Sequence, residues 1–165
     1  MRTHLAAGIA LAFAVVGFGS ARAGADPTLY VLAPGSEFEQ GCFPPCECPS
    51  LAAQPLRGIF WLTPAGSDPL FDHFDLSRIV WRVKIGGEDV AITGSGRYRR
   101  GGEFALMHQL ELDISIGGAK PQHFDSGLLP GGSEFPTIAI TVSLNGGYCF
   151  DTVLRISAKA VAGCG

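Results

Sequence analysis

The chain has 165 residues, 47% of them hydrophobic and only 16% charged, with a formal net charge of −3. High apolar content with little charge argues against an intrinsically disordered chain. A mildly acidic balance argues against nucleic acid or an anionic membrane surface as the partner.

The chain opens on a short basic stretch, Arg2 and His4, followed by an apolar run from Leu5 to Phe18 and by Ser20-Ala21-Arg22-Ala23. This is the order of a secretory signal peptide with an A-x-A cleavage site, so residues 1–23 read as a leader and residues 24–165 as one domain. The apolar run is shorter than the roughly 20 residues a membrane-spanning helix needs. A secreted or periplasmic location follows, with no membrane anchor in the mature chain. Without Arg2 and Arg22 the mature part holds 10 basic and 15 acidic residues, a net charge of −5.

Thr28 to Leu32 reads as a first short strand. A cysteine- and proline-rich loop at 41–49 follows, Gly41-Cys42-Phe43-Pro44-Pro45-Cys46-Glu47-Cys48-Pro49, and then a strand from Gln54 to Thr63. From Arg78 to Ile85, Ile79, Trp81, Val83 and Ile85 alternate with polar residues, the period of a half-buried strand. Gly86-Gly87 then turns the chain into a strand through Val90 and Ile92. The longest alternating run is Phe104 to Ile116, with Phe104, Leu106, His108, Leu110, Leu112, Ile114 and Ile116 on one face. Gly117-Gly118 ends it, and residues 128–134 form a loop. Ile138 to Leu144 and Phe150 to Ala158 complete the pattern across Asn145-Gly146-Gly147. Glycine pairs and Asn-Gly supply the positive φ of tight hairpin turns. All eleven prolines fall between these strands or at their first positions, where a missing N–H costs least. The fold expected is all-β, a single-domain antiparallel meander closing into an up-and-down barrel or a curved β-sandwich of about eight to ten strands.

The mature part carries Cys42, Cys46, Cys48, Cys149 and Cys164. In an exported chain disulfides are the default. An odd count leaves one thiol free or paired between chains. Cys164, one residue from the terminus, is the choice for the unpaired thiol. One of Cys46 and Cys48 is expected to reach Cys149. Zinc held by Cys42, Cys46, Cys48 and Cys149 is the alternative, but the C-x3-C-x-C spacing departs from the usual C-x2-C knuckle.

Three further groups draw attention. His-Phe-Asp occurs twice, at His73-Phe74-Asp75 and His123-Phe124-Asp125. In a strand, residues i and i+2 share a face, so each motif presents an imidazole beside a carboxylate. Were His73, Asp75, His123 and Asp125 to meet, with Asp72 adding a ligand, they would suit a divalent metal or acid–base work. The simpler reading is two strand pairs with Phe in the core and a solvated His–Asp contact outside. Trp61, Trp81 and His108 are candidates to line an apolar cavity inside a barrel, although a lone histidine in an apolar row is more often a satisfied core residue. Arg97, Arg99 and Arg100, with Tyr98, crowd a glycine-rich stretch that reads as a solvated hairpin tip or, less simply, an anion site. It lacks the Gly-Lys-Ser/Thr ending of a phosphate-binding loop.

Several stretches resemble a family of small uncharacterised secreted bacterial proteins with a C-x3-C-x-C-P motif near the mature N-terminus. They are Tyr30–Ser36, Gly41–Pro49, Asp68–Phe71, Ile92–Tyr98, Gly102–Leu106, His123–Gly127 and Gly147–Val153. The resemblance implies a four-cysteine pattern at Cys42, Cys46, Cys48 and Cys149, with Cys164 as an extra, and implies no activity. The functional expectation is a secreted, non-catalytic binding or interaction module with an extracellular or periplasmic partner, no catalytic residues, no metal and no cofactor. The alternatives are a barrel holding a small apolar ligand and a metal-assisted hydrolase built on the two His-Phe-Asp motifs.

Overall fold

The structure, a computed structural model, describes residues 26–48, 52–132 and 134–162. The leader at 1–23 and Cys164 lie outside the described residues. Eleven strands are present among the described residues: β1 (Thr28–Leu32), β2 (Glu37–Cys42), β3 (Gln54–Pro55), β4 (Arg57–Ser67), β5 (Phe71–Ile85), β6 (Glu88–Gly101), β7 (Met107–Ile116), β8 (Gln122–Asp125), β9 (Leu129–Pro130), β10 (Ile138–Ser143) and β11 (Phe150–Ala160).

All pairings are antiparallel, in one sheet. Its order β1-β4-β5-β6-β7-β8-β10-β11 closes on itself because β1 also pairs β11, Tyr30 opposite Ala160. The ring of eight is uneven. β8 and β10 meet at one register pair, Asp125 opposite Ser143, whereas β5 and β6 run together from Phe71↔Gly101 to Ile85↔Glu88. β1 and β2 are successive stretches along the same edge of β11, with β3 added outside β2. Closure gives β1 and β11 a partner on the side where an open sheet would expose an edge.

Local sequence explains the elements. Ile79, Trp81 and Val83 point inward and are buried, while Arg82 and Lys84 point out. Gly86 and Gly87 both adopt positive φ, 60° and 90°, the turn that joins β5 to β6 in two residues. In β6, Gly94 takes φ +154°, and a Cβ there would run into the carbonyl oxygen of Asp113 on β7. Opposite Gly94 and Gly96, β5 carries a bulge between Leu76 and Ile79, with Arg78 at φ 51°. Glycines facing a bulge let a long sheet bend sharply enough to close.

The interior is filled by side chains. Tyr30, Phe60, Trp81, Leu112, Ile114, Phe124 and Leu154 are all essentially inaccessible. Tyr30 stacks on Phe60 at 5.2 Å, and Phe60 meets Trp81 edge-on at 6.1 Å. The indole Nε1 of Trp81 is buried with no hydrogen-bond partner among the described residues.

The structure differs from the sequence expectation in several places: β2 takes in Gly41 and Cys42, read as loop, and the stretch read as one strand from Gln54 to Thr63 breaks at Leu56 into β3 and β4. β7 begins at Met107, so Phe104 and Leu106 stand outside the apolar row and are exposed. β4 runs on through Pro64 to Ser67. Proline is tolerated there because β1 stops at Thr28↔Leu62, leaving that stretch of β4 with no neighbour on one side among the described residues. Finally, Arg97, Arg99 and Arg100 lie within β6, between β5 and β7, and not at a hairpin tip.

Candidate functional site

The cysteines come together at the end of the barrel where Gly86-Gly87 turns. Cys42 bonds Cys48, and Cys46 bonds Cys149, with Cα separations of 5.4 and 5.0 Å. Pairing within β2–β11 sets this up, since Cys42 lies opposite Phe150 and the Phe43 N–H donates to the Cys149 carbonyl at 2.9 Å. The buried carboxylate of Asp151 holds the preceding turn by accepting from the N–H groups of Asn145, Gly147 and Thr152. All four sulfurs are consumed, so the zinc reading of these cysteines is corrected: a disulfide sulfur is not a thiolate ligand.

In both His-Phe-Asp motifs the phenylalanine turns inward as read, but the expected His–Asp contact within the motif does not form. Phe124 is buried, Phe74 packs against the core, and the flanking residues face outward. They do not form a shared site. His73 is on β5 and His123 on β8, with β6 and β7 between them, a lateral separation of about 14 Å at normal strand spacing. Neither histidine takes the aspartate of its own motif. His73 Nε2 meets Asp68 Oδ2 at 2.7 Å, and His123 Nδ1 meets Asp113 Oδ1 at 2.9 Å. Asp125 instead accepts from Gln109 Nε2 and the Gly127 N–H, both at 2.8 Å. Among the described residues no cluster of three or more His, Cys, Asp or Glu is placed to hold a metal ion.

Trp61, Trp81 and His108 do not line one cavity. Phe60 and Leu62 take the inward positions of β4, which turns Trp61 to the outer face opposite Ser77. Trp81 is packed in the core. His108 lies near the other mouth, its Nδ1 3.4 Å from the Tyr98 hydroxyl and Gly132 close over its ring. Burial, and secondarily the Arg100 charge, hold the His108 imidazole below its ordinary pKa. Burial raises that of Tyr98, opposed by Arg100. Phe135 closes this mouth, 5.3 Å from the Phe74 ring and 4.8 Å from the Arg100 guanidinium. The arginines have separate duties. Arg100 faces the mouth, Arg99 lies over Phe71 and donates Nε to Gln109 Oε1 at 2.9 Å, and Arg97 projects into solvent. An anion site made of all three is therefore not assembled.

Around that mouth the structure gathers residues that the sequence reading did not connect. Phe104 is 95% exposed, and Leu70, Leu106, Leu128 and Leu129 are 36–49% exposed. They sit on three connections tied to one another: the Gly102 N–H donates to the Leu70 carbonyl at 2.8 Å, the Gly131 N–H donates to the Leu106 carbonyl at 2.6 Å, and Leu129 pairs with His108. Asp68 holds the first connection. Its Oδ1 accepts from the Leu70 and Phe71 N–H groups at 2.8 Å, and its Oδ2 binds His73. The His73 bond, with those two N–H groups, pulls the Asp68 carboxyl down to about 2. The result is a braced rim of large apolar side chains. The one signal in the sequence was Leu128-Leu129 inside a proline- and glycine-rich loop. Phe104 and Leu106 were masked by falling in phase with β7.

No protein-family model matches the chain, and neither a curated protein nor a solved structure is found to be similar to it.

Proposed function

We propose that the chain is a secreted, non-catalytic binding module that docks its apolar rim on a protein partner at the cell exterior. The observation that carries this is the rim itself. Phe104 alone, buried by a partner, would return about 1.5–3 kcal/mol of transfer free energy. Several large apolar side chains left in water around one mouth of a small domain mark an interaction surface. The carboxylates of Asp68, Glu103 and Glu134 adjoin it in sequence. The Arg99 and Arg100 cations behind it are engaged with Phe71 and Phe135. An acidic border favours a protein surface over an anionic bilayer. Two disulfides accord with an oxidising compartment, and the leader-like N-terminus accords with export.

The test is a photo-crosslinking residue placed at Phe104 in the protein exported by its own cells, with the same residue at Glu88, at the opposite end, as the control. One dominant protein adduct from position 104, absent from position 88 and lost on Leu106→Ser, is the expected result. An adduct consisting of a second copy of the chain would make the rim a self-association surface. Only lipid adducts, or identical patterns from both positions, would overturn the proposal.

A further inference from the structure

A second feature lies on the outer face, away from the rim. Register places Thr63, Asp75, Arg97, Glu111 and Asp125 in one row across β4 to β8. Two adjoining depressions of about 370 and 330 Å3 share Asp75, Arg97 and Glu111. Leu76 and Gly96 form part of the floor, and the bulge in β5 begins at Leu76, with Arg78 at positive φ within it. Bulges are over-represented beside binding sites, where they re-aim side chains, and a bulky residue at positive φ is uncommon enough to ask for a reason.

The polar groups here have unused capacity. The Asp75 carboxylate has no hydrogen-bond or ion-pair partner among the described residues, and the Arg97 side chain is 78% exposed, its Nε reaching Glu111 Oε2 only at 3.8 Å. Trp61, half-buried, is two residues from Thr63, the cross-strand partner of Asp75, on the same outer face. That diagonal lies within reach of an aromatic side chain.

We propose that this trough binds a neutral oligosaccharide. The chemistry narrows the ligand. An anion at Arg97 would face Asp75 on one side and Glu111 on the other, and a cation would face Arg97. A sugar hydroxyl donates and accepts at once, so neighbouring hydroxyls satisfy carboxylate and guanidinium together. The apolar face of a pyranose ring stacks on an indole. An extended peptide is disfavoured because β5, β6 and β7 each have a strand on both sides, leaving no edge for strand addition.

The experiment is native affinity electrophoresis through gels containing a neutral β-glucan, mannan or xylan, with heparin as the anionic control. Calorimetry with an oligosaccharide of the retarding polymer follows. Retardation by at least one neutral polymer is expected, with affinity falling about tenfold or more in Asp75→Ala and in Arg97→Ala, as for a lost charge-assisted hydrogen bond. Both residues are exposed, so the urea midpoint should not move. Trp61→Phe should abolish the accompanying change in tryptophan fluorescence. No retardation by any neutral polymer overturns the proposal. So does binding that survives both Asp75→Ala and Arg97→Ala, or retardation by heparin alone.

Discussion

Removing the Cys46–Cys149 bridge should destabilise the domain more than removing Cys42–Cys48, although the two share one loop. The bridges span 103 and 6 residues of sequence. In the chain-entropy model those loops correspond to about 4.7 and about 2.2 kcal/mol at 25 °C, a difference of about 2.5 kcal/mol. Packing works against that order. Cys42 is buried while Cys46 is exposed, so Cys42→Ala loses core contacts of about 1 kcal/mol that Cys46→Ala does not. The long bridge should still be the more important one. The assay is urea unfolding of the C46A/C149A and C42A/C48A double variants, followed by the fluorescence of the buried Trp81. Each variant is analysed with its own slope, because uncrosslinked denatured chains expose more surface. If C42A/C48A is the less stable variant, the long bridge does not act through the denatured chain, and the reasoning is wrong.

Stability should also fall with acid in two windows. The folded-state pKa of His108 lies below its ordinary 6.5, so protonation favours the unfolded chain. Urea midpoints should decline as pH drops below about 6.5, and His108→Gln should flatten that decline. Asp68 is lowered from 3.8 to about 2. Its contribution is present above pH 3.8 and lost as pH falls from there through about 2, and Asp68→Asn should remove that part of the acid profile. Gly94→Ala, which forces a Cβ onto the Asp113 carbonyl at positive φ, should cost on the order of 3 kcal/mol in the same unfolding assay. A change under about 0.5 kcal/mol would show that the β6–β7 crossing does not need glycine.

What the sequence determined by itself was local. Period-two alternation announced β5, β7, β10 and β11, because side-chain direction in a strand depends only on parity. Gly86-Gly87 announced its turn because positive φ is a property of the residue. The inward phenylalanines of the two His-Phe-Asp motifs follow from the same parity, and Cys46 reaching Cys149 was one of two pairings foreseen. Which of the two, like everything else requiring a partner distant in sequence, was decided by the tertiary structure. Closure of the ring through Tyr30 and Ala160, the extension of β4 past Pro64, and His123 taking Asp113 rather than Asp125 all depend on register. One residue of slip would reverse every side chain. Phe104 shows the limit most clearly. Its parity matched the buried row of β7, but the strand starts three residues later, and only the ends of neighbouring strands determine where a face stops being covered.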